Sequence, residues 1–153
     1  MFKKVLVPLD GSELSECSLP HISTMAKDDS IGKVILLRIV DINIAIADVL
    51  IADQGSYLQA FRDSCVEAAR DYLARVESQL KTKGIKVETV VLEGSKPGEI
   101  ITDFSQQNGV DLIVMATHGY SGIKKMLIGS VAFKVLHTSP VPVLLIRPES
   151  CRR

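Results

Sequence analysis

Hydrophobic residues along the chain fall into two patterns. Five short runs stand close together as blocks: Val5–Leu9, Val34–Val40, Val87–Leu92, Leu112–Met115 and Val143–Ile146. Between them, apolar residues recur at steps of three and four. The first block, Val5-Leu6-Val7-Pro8-Leu9, is apolar on both faces, as a buried parallel strand requires. The blocks are therefore predicted strands and the periodic stretches predicted helices. A first helix is expected from Ser12 to about Lys27, with Leu14, Ser18, Ile22 and Met25 on one face and a kink at Pro20. Gly32 is expected to end the turn that follows.

The strongest helical pattern runs from Tyr57 to Lys83. Leu58, Phe61, Cys65, Ala68, Ala69, Tyr72, Val76 and Leu80 share one face, and Gly84 stops it. Pro97 suits the first turn of another helix, with Ile100, Ile101 and Phe104 turned inward and a stop near Gly109. A last helix is expected from Ser130, with Val131, Val135 and Leu136 apolar. Residues 41 to 55 fit neither pattern. They read as a loop and short helix over the core, or as a lid or partner-facing patch. Strand and helix otherwise alternate, which predicts an α/β fold with a mainly parallel sheet and helices on both faces.

Length and composition narrow this picture. A chain of 153 residues suits one domain, expected over residues 1–148 with a polar tail at 149–153. Eighteen basic residues balance 18 acidic ones, which argues against a general nucleic-acid binder. The three cysteines, Cys17, Cys65 and Cys151, are far apart and lack metal-ligand spacing. They read as reduced thiols, with Cys17 and Cys65 as small core residues. The start of the chain lacks a signal-peptide pattern, and no apolar run approaches the roughly 20 residues of a membrane span. A cytoplasmic protein is the expectation.

Candidate chemistry gathers where predicted strands end. Asp10-Gly11-Ser12 follows the first strand. The fourth is followed by Ala116-Thr117-His118-Gly119, then by Lys124 and Lys125, then by Gly129-Ser130-Val131 at a predicted helix start. Glycines admit a close backbone, and free N–H groups at a helix start favour an anion. The same glycines also suit plain turns. Neither a Gly-x-Gly-x-x-Gly nor a Gly-x-x-x-x-Gly-Lys-Ser/Thr motif is present. His118 reads as a loop histidine or as a general base, and the two lysines as solvated or as phosphate screens. His21 and His137 have no carboxylate or cysteine at ligand spacing.

Three segments carry a family resemblance: Lys4-Val5-Leu6-Val7-Pro8-Leu9-Asp10-Gly11-Ser12, then Asp111-Leu112-Ile113-Val114-Met115-Ala116-Thr117-His118-Gly119, then Gly129-Ser130-Val131 through Ser139-Pro140-Val141-Pro142-Val143. With the order of elements, the chain resembles the universal stress protein family of UspA type over nearly its whole length. The resemblance implies a doubly wound, single-domain sheet of five strands ordered 3-2-1-4-5, of the adenine nucleotide alpha hydrolase-like type. It also implies ATP, or AMP or ADP, bound with Mg²⁺ at the switch point between strands one and four. The implied binding residues are Pro8, Asp10, Ile39, Ala116, Gly119, Gly129, Ser130 and Val131. Asp10 would accept from base or sugar, Ile39 would contact adenine, and the N–H groups of Gly129, Ser130 and Val131 would hold phosphates.

The family's ATP-binding branch carries a glycine where this chain has Ala116. Alanine disfavours positive φ, so the substitution matters if that backbone position demands it. The resemblance, with an apolar strand expected at the sheet edge from Val141 to Ile146, implies a homodimer through the last strand. No residue is evidently placed to activate water, so at most slow ATP hydrolysis is expected, with no dedicated catalytic or metal-ligating residue. A dimeric scaffold of the family's non-nucleotide branch, acting through protein partners, is the alternative.

Overall fold

The computed structural model describes residues 1–43, 55–118 and 128–148; of Gly55 and Ser56 it describes the backbone alone. The element order is β1 (Phe2–Pro8), α1 (Glu13–Glu16), α2 (Leu19–Lys27), β2 (Ile31–Val40), α3 (Gly55–Lys81), β3 (Lys86–Glu93), α4 (Pro97–Gln107), β4 (Leu112–Ala116), α5 (Ser130–Thr138) and β5 (Val143–Ile146). Five strands form one sheet in the order β3-β2-β1-β4-β5, and every pairing is parallel. This is the expected α/β architecture with the expected strand order.

Strand alternation divides the core. Val5, Val7, Val34, Leu36, Leu112 and Val114 face α2 and α3, where they meet Ile22, Leu73, Val76 and Leu80. Leu6, Ile35, Leu37, Ile113 and Met115 face the other way, against Ile101 of α4 and Ala132 and Val135 of α5. Full burial of one such side chain contributes about 1.5–3 kcal/mol, so both layers are held mainly by the sheet they cover.

Several local expectations are corrected. The first helix is two helices, α1 and α2, and Pro20 lies in the first turn of the second. Proline lacks the N–H that a continuous helix would need there, so the chain restarts rather than kinks. Gly32 lies within β2, not in a turn: a Cβ there would stand 2.6 Å from the Lys3 carbonyl oxygen, so glycine permits the strands' approach. The turn before β2 is made by Asp29 at φ 50. Cys17 and Cys65 are both half-buried, and Cys17 packs against the core cluster. On α3, Ala68 is exposed and Leu73 is fully buried. The 41–55 segment falls largely outside the described residues, as does the tail at 149–153 with Cys151.

One asymmetry in the sheet makes room for a site. At the start of β1, the Lys3 and Lys4 N–H groups donate to the Asp111 carboxylate at 2.8 and 3.1 Å. That clamps β1 to the entry of β4. Pairing between the two strands covers Val5↔Leu112 and Leu6↔Ile113, whereas β1 stays paired with β2 as far as Pro8↔Leu37. Leu9 N–H donates to Leu37 O on the β2 side at 2.9 Å. By alternation Pro8 faces β4, and it has no N–H to donate there. The ladder therefore stops, and β1 and β4 part at their carboxyl ends.

Candidate functional site

A cavity of about 330 Å³ fills the opening between β1 and β4. Pro8, Leu9 and Asp10 enter from the end of β1, and Leu37 and Ile39 from β2. Met115 to His118 contribute from the end of β4, Pro97 and Ile101 from α4, and Gly129 to Ala132 from the start of α5. Ligands in parallel α/β sheets bind at such a switch point, beyond the carboxyl ends of the strands.

On the β1 side the chain makes a self-contained turn. The Ser12 N–H and hydroxyl donate to Asp10 Oδ1 at 2.9 and 2.6 Å. Ser12 Oγ accepts from Ser15 N–H at 3.2 Å and so caps α1. Ser15 Oγ donates to the Ser12 carbonyl at 2.8 Å and accepts from Asp10 N–H at 3.4 Å. Gly11 takes φ 85, a conformation glycine adopts without the Cβ penalty. The two bonds to Ser12 use part of the acceptor capacity of the Asp10 carboxylate.

The opposite wall is the start of α5, and it is built differently. Gly129 is the N-cap at φ −69, ψ 158, with no side-chain cap and no acidic residue in the first turn. Its N–H donates to Thr117 O at 2.6 Å, and its carbonyl accepts from Phe133 N–H at 2.8 Å. A Cβ on Gly129 would stand 3.2 Å from Thr117 O, so a small residue lets α5 begin against the end of β4. The N–H groups of Ser130, Val131 and Ala132 precede the first intrahelical bond and border the cavity.

Seven of the eight expected residues line this one cavity: Pro8, Asp10, Ile39, Ala116, Gly129, Ser130 and Val131. Gly119 lies outside the described residues, as do Lys124 and Lys125. One expected role changes. The Gly129 N–H is committed to Thr117, so among the described residues the first-turn donors left outside the helix ladder begin at Ser130 and extend to Ala132, one residue later than expected. Ala116 ends β4 in register with Ile146, and the non-glycine residue with positive φ among those described is Asp29. The Ala116 backbone thus makes no demand that alanine cannot meet.

Leu37 and Thr117 line the cavity without having been singled out in the sequence. Leu37 shares the face of Ile39 two residues on, a relation that strand periodicity alone reveals. Thr117 and His118 are buried at 7% and 5% exposure, with Thr117 Oγ1 3.0 Å from His118 Nδ1. His118 is the expected loop histidine with a structural partner, and it also forms part of the cavity wall. Among the described residues, no group of three or more His, Cys, Asp or Glu side chains could hold a metal ion.

Behind the turn, on the α3 side of the sheet, stand Arg38 and Tyr72. Burial pushes the Arg38 guanidinium below its ordinary range, and the Asp10 carboxylate opposes that shift. Burial, then Glu16, pushes the Tyr72 phenol above its ordinary range. Its hydroxyl is buried without a bond of good geometry, although Glu16 and Ser15 lie close enough to bear on its titration.

The universal stress protein family model matches residues 1–147. The chain belongs to the universal stress protein family. Universal stress protein MJ0577 from Methanocaldococcus jannaschii is 31% identical over 160 residues, spanning 98% of each chain. The solved structure of MJ0577 superposes with a TM-score of 0.83, covering 97% of this chain and 98% of that one. A universal stress protein solved in complex with cAMP shares the fold at TM-score 0.60 and 21% identity, over 95% and 97% of the two chains. An Arabidopsis thaliana family member solved with AMP bound shares it at TM-score 0.67 and 15% identity, over 97% and 93%. Among the described residues no helix is long and apolar enough to cross a membrane.

Proposed function

We propose that this universal stress protein binds an adenine nucleotide, ATP foremost, in the cavity between β1 and β4, as a cytoplasmic stress-response regulator. The observation that carries the reading is the pairing of opposite walls across one cavity. Asp10 offers an acceptor on one side. On the other, an uncapped helix start offers three successive N–H donors with no acid in the first turn. A helix start of that kind favours an anion through its unpaired donors and its dipole. Leu37, Ile39, Ile101 and Pro8 supply apolar surface suited to a base. The cAMP and AMP found on two relatives support an adenine ring as that base.

The residues fit the nucleotide as follows. Asp10 accepts from ribose or base, Ile39 packs on adenine, and Ser130, Val131 and Ala132 receive the phosphates, with the Ser130 hydroxyl beside them. Mg²⁺ would come with the nucleotide and supply charge neutralisation for its phosphates, since among the described residues no group of three or more His, Cys, Asp or Glu side chains could hold it. Turnover is slow at most. The ionisable side chains on the described wall are Asp10, engaged by Ser12, and His118, paired with Thr117. Titration calorimetry with Mg·ATP, AMP and cAMP tests the reading. Saturable one-site binding at micromolar concentrations is expected; no heat at high micromolar protein with any of the three rejects it.

A second reading is carried by a different surface. β5 is an edge strand, Leu144 on it is partly exposed, and Phe133 and Leu136 stand exposed on α5, which packs against it. Unpaired edges invite association. We propose a homodimer through β5, which also serves a scaffold acting through protein partners. Light scattering at working concentration is expected to give twice the chain mass.

A further inference from the structure

We infer that Arg38 is a positioning residue for Asp10: from the α3 side of the sheet, its guanidinium supports the Asp10–Ser12 turn and sets positive charge behind the carboxylate that lines the cavity. The consequence for binding rests on the nucleotide reading above; the coupling between the two residues does not.

Leu37 and Ile39 line the cavity, so Arg38 between them projects to the opposite face. There its Cζ sits 5.8 Å from the centre of the Tyr72 ring, and Arg75 lies over the same ring at 5.4 Å. Nε and Nη1 are buried, with no hydrogen-bond partner among the described residues. The Gly11 backbone also lies close against the guanidinium. A Cβ added to Gly11 would stand 2.9 Å from Nη1 and 3.3 Å from Cζ and Nη2. The turn that presents Asp10 is therefore seated on a cation held over an aromatic ring.

A buried cation lacking hydrogen bonds is unfavourable unless a nearby charge compensates it. Asp10 is the carboxylate whose field acts on Arg38. The reverse action has two uses. It favours ionised Asp10, the acceptor form that a hydroxyl or amino donor needs. It also offsets the repulsion between this carboxylate and phosphates arriving across the cavity. Ser12 fixes one oxygen of the carboxylate, and the Arg38 guanidinium lies against the Gly11 backbone of the same turn.

Two readouts on the full chain test this. In nucleotide-free protein, the Asp10 side-chain carboxyl carbon is followed by NMR against pH. Arg38→Met is expected to move its titration to higher pH, and Arg38→Lys to return part of the shift. Arg38→Gln serves as the neutral variant if the methionine protein does not fold. An Asp10 titration unmoved in a folded neutral variant overturns the inference. In the second readout, Mg·ATP affinity is measured for Arg38→Met with Asp10 present and in the Asp10→Asn background. A loss of about tenfold is expected in the first and under about twofold in the second; equal losses overturn it. If the wild-type protein binds no adenine nucleotide, the nucleotide reading falls and the carboxyl titration alone decides the role of Arg38.

Discussion

Two helices begin beside the same crevice, and their first turns are built in opposite ways. α1 is closed at its start. Ser12 caps it, Asp10 ties Ser12 down, and Glu13 and Glu16 place acid in the first turn. Those features satisfy the donors and the dipole from within the protein, and they repel an anion. α5 starts with Gly129, carries no side-chain cap and no acid in its first turn, and meets the cavity. The difference separates a helix start that stabilises the fold from one left for a ligand. Four substitutions break or sharpen it.

Gly129→Asp rebuilds the start of α5 in the manner of α1. The Gly129 φ of −69 is open to any residue, but a Cβ there stands 3.2 Å from Thr117 O, so the electrostatic change comes with local crowding. Mg·ATP affinity is expected to fall about a hundredfold by calorimetry, because a carboxylate then faces the phosphates. The thermal midpoint should change little, because the gain of an aspartate N-cap over glycine, a few tenths of a kcal/mol, is set against that crowding. Ser12→Ala makes the reverse case. It removes a cap on the stabilising side, so denaturant unfolding should report a loss of about 1 kcal/mol, and nucleotide affinity should fall far less than in Gly129→Asp, through loss of the hydroxyl bond that fixes Asp10.

Tyr72→Phe reads the support beneath α1. Folding raises the Tyr72 phenol above its unfolded value near 10. The stability linked to the neutral phenol is therefore fully present below about pH 10 and is lost as pH climbs toward the folded value. The variant should lose less stability than wild type between about pH 10 and 11, with the two pH profiles parallel below that window. Ala116→Gly is expected to have the smallest effect. The strand backbone at this position is already one that alanine accepts, so affinity should change by less than about threefold in either direction.

Much of this architecture is legible in the chain because burial on both faces leaves continuous apolar runs. Val143–Ile146 is the strand that was expected, and Leu112–Met115 extends by Ala116 alone. Local chemistry was harder to read. Pro20 looks the same in a linear pattern whether it kinks one helix or opens another. Gly32 resembles a turn former until the Lys3 carbonyl is placed against it. Within the site, Asp10, Ile39, Gly129 and Ser130 could be named from motif resemblance. The commitment of the Gly129 N–H could not, since Thr117 is brought to it by tertiary folding. Arg38 escaped notice for a similar reason. Its partners, Gly11 and Tyr72, lie on other elements, and only the assembled fold brings its guanidinium close to both.

The central claim is that the first turn of α5 receives the nucleotide's phosphates. Backbone amide resonances of Ser130, Val131 and Ala132, followed as Mg·ATP is added, test it most directly. Saturable shifts at these three amides, larger than those at the capped Ser15 amide of α1, are the predicted result. Saturating nucleotide that leaves all three in place, or moves the α1 amides instead, would contradict it.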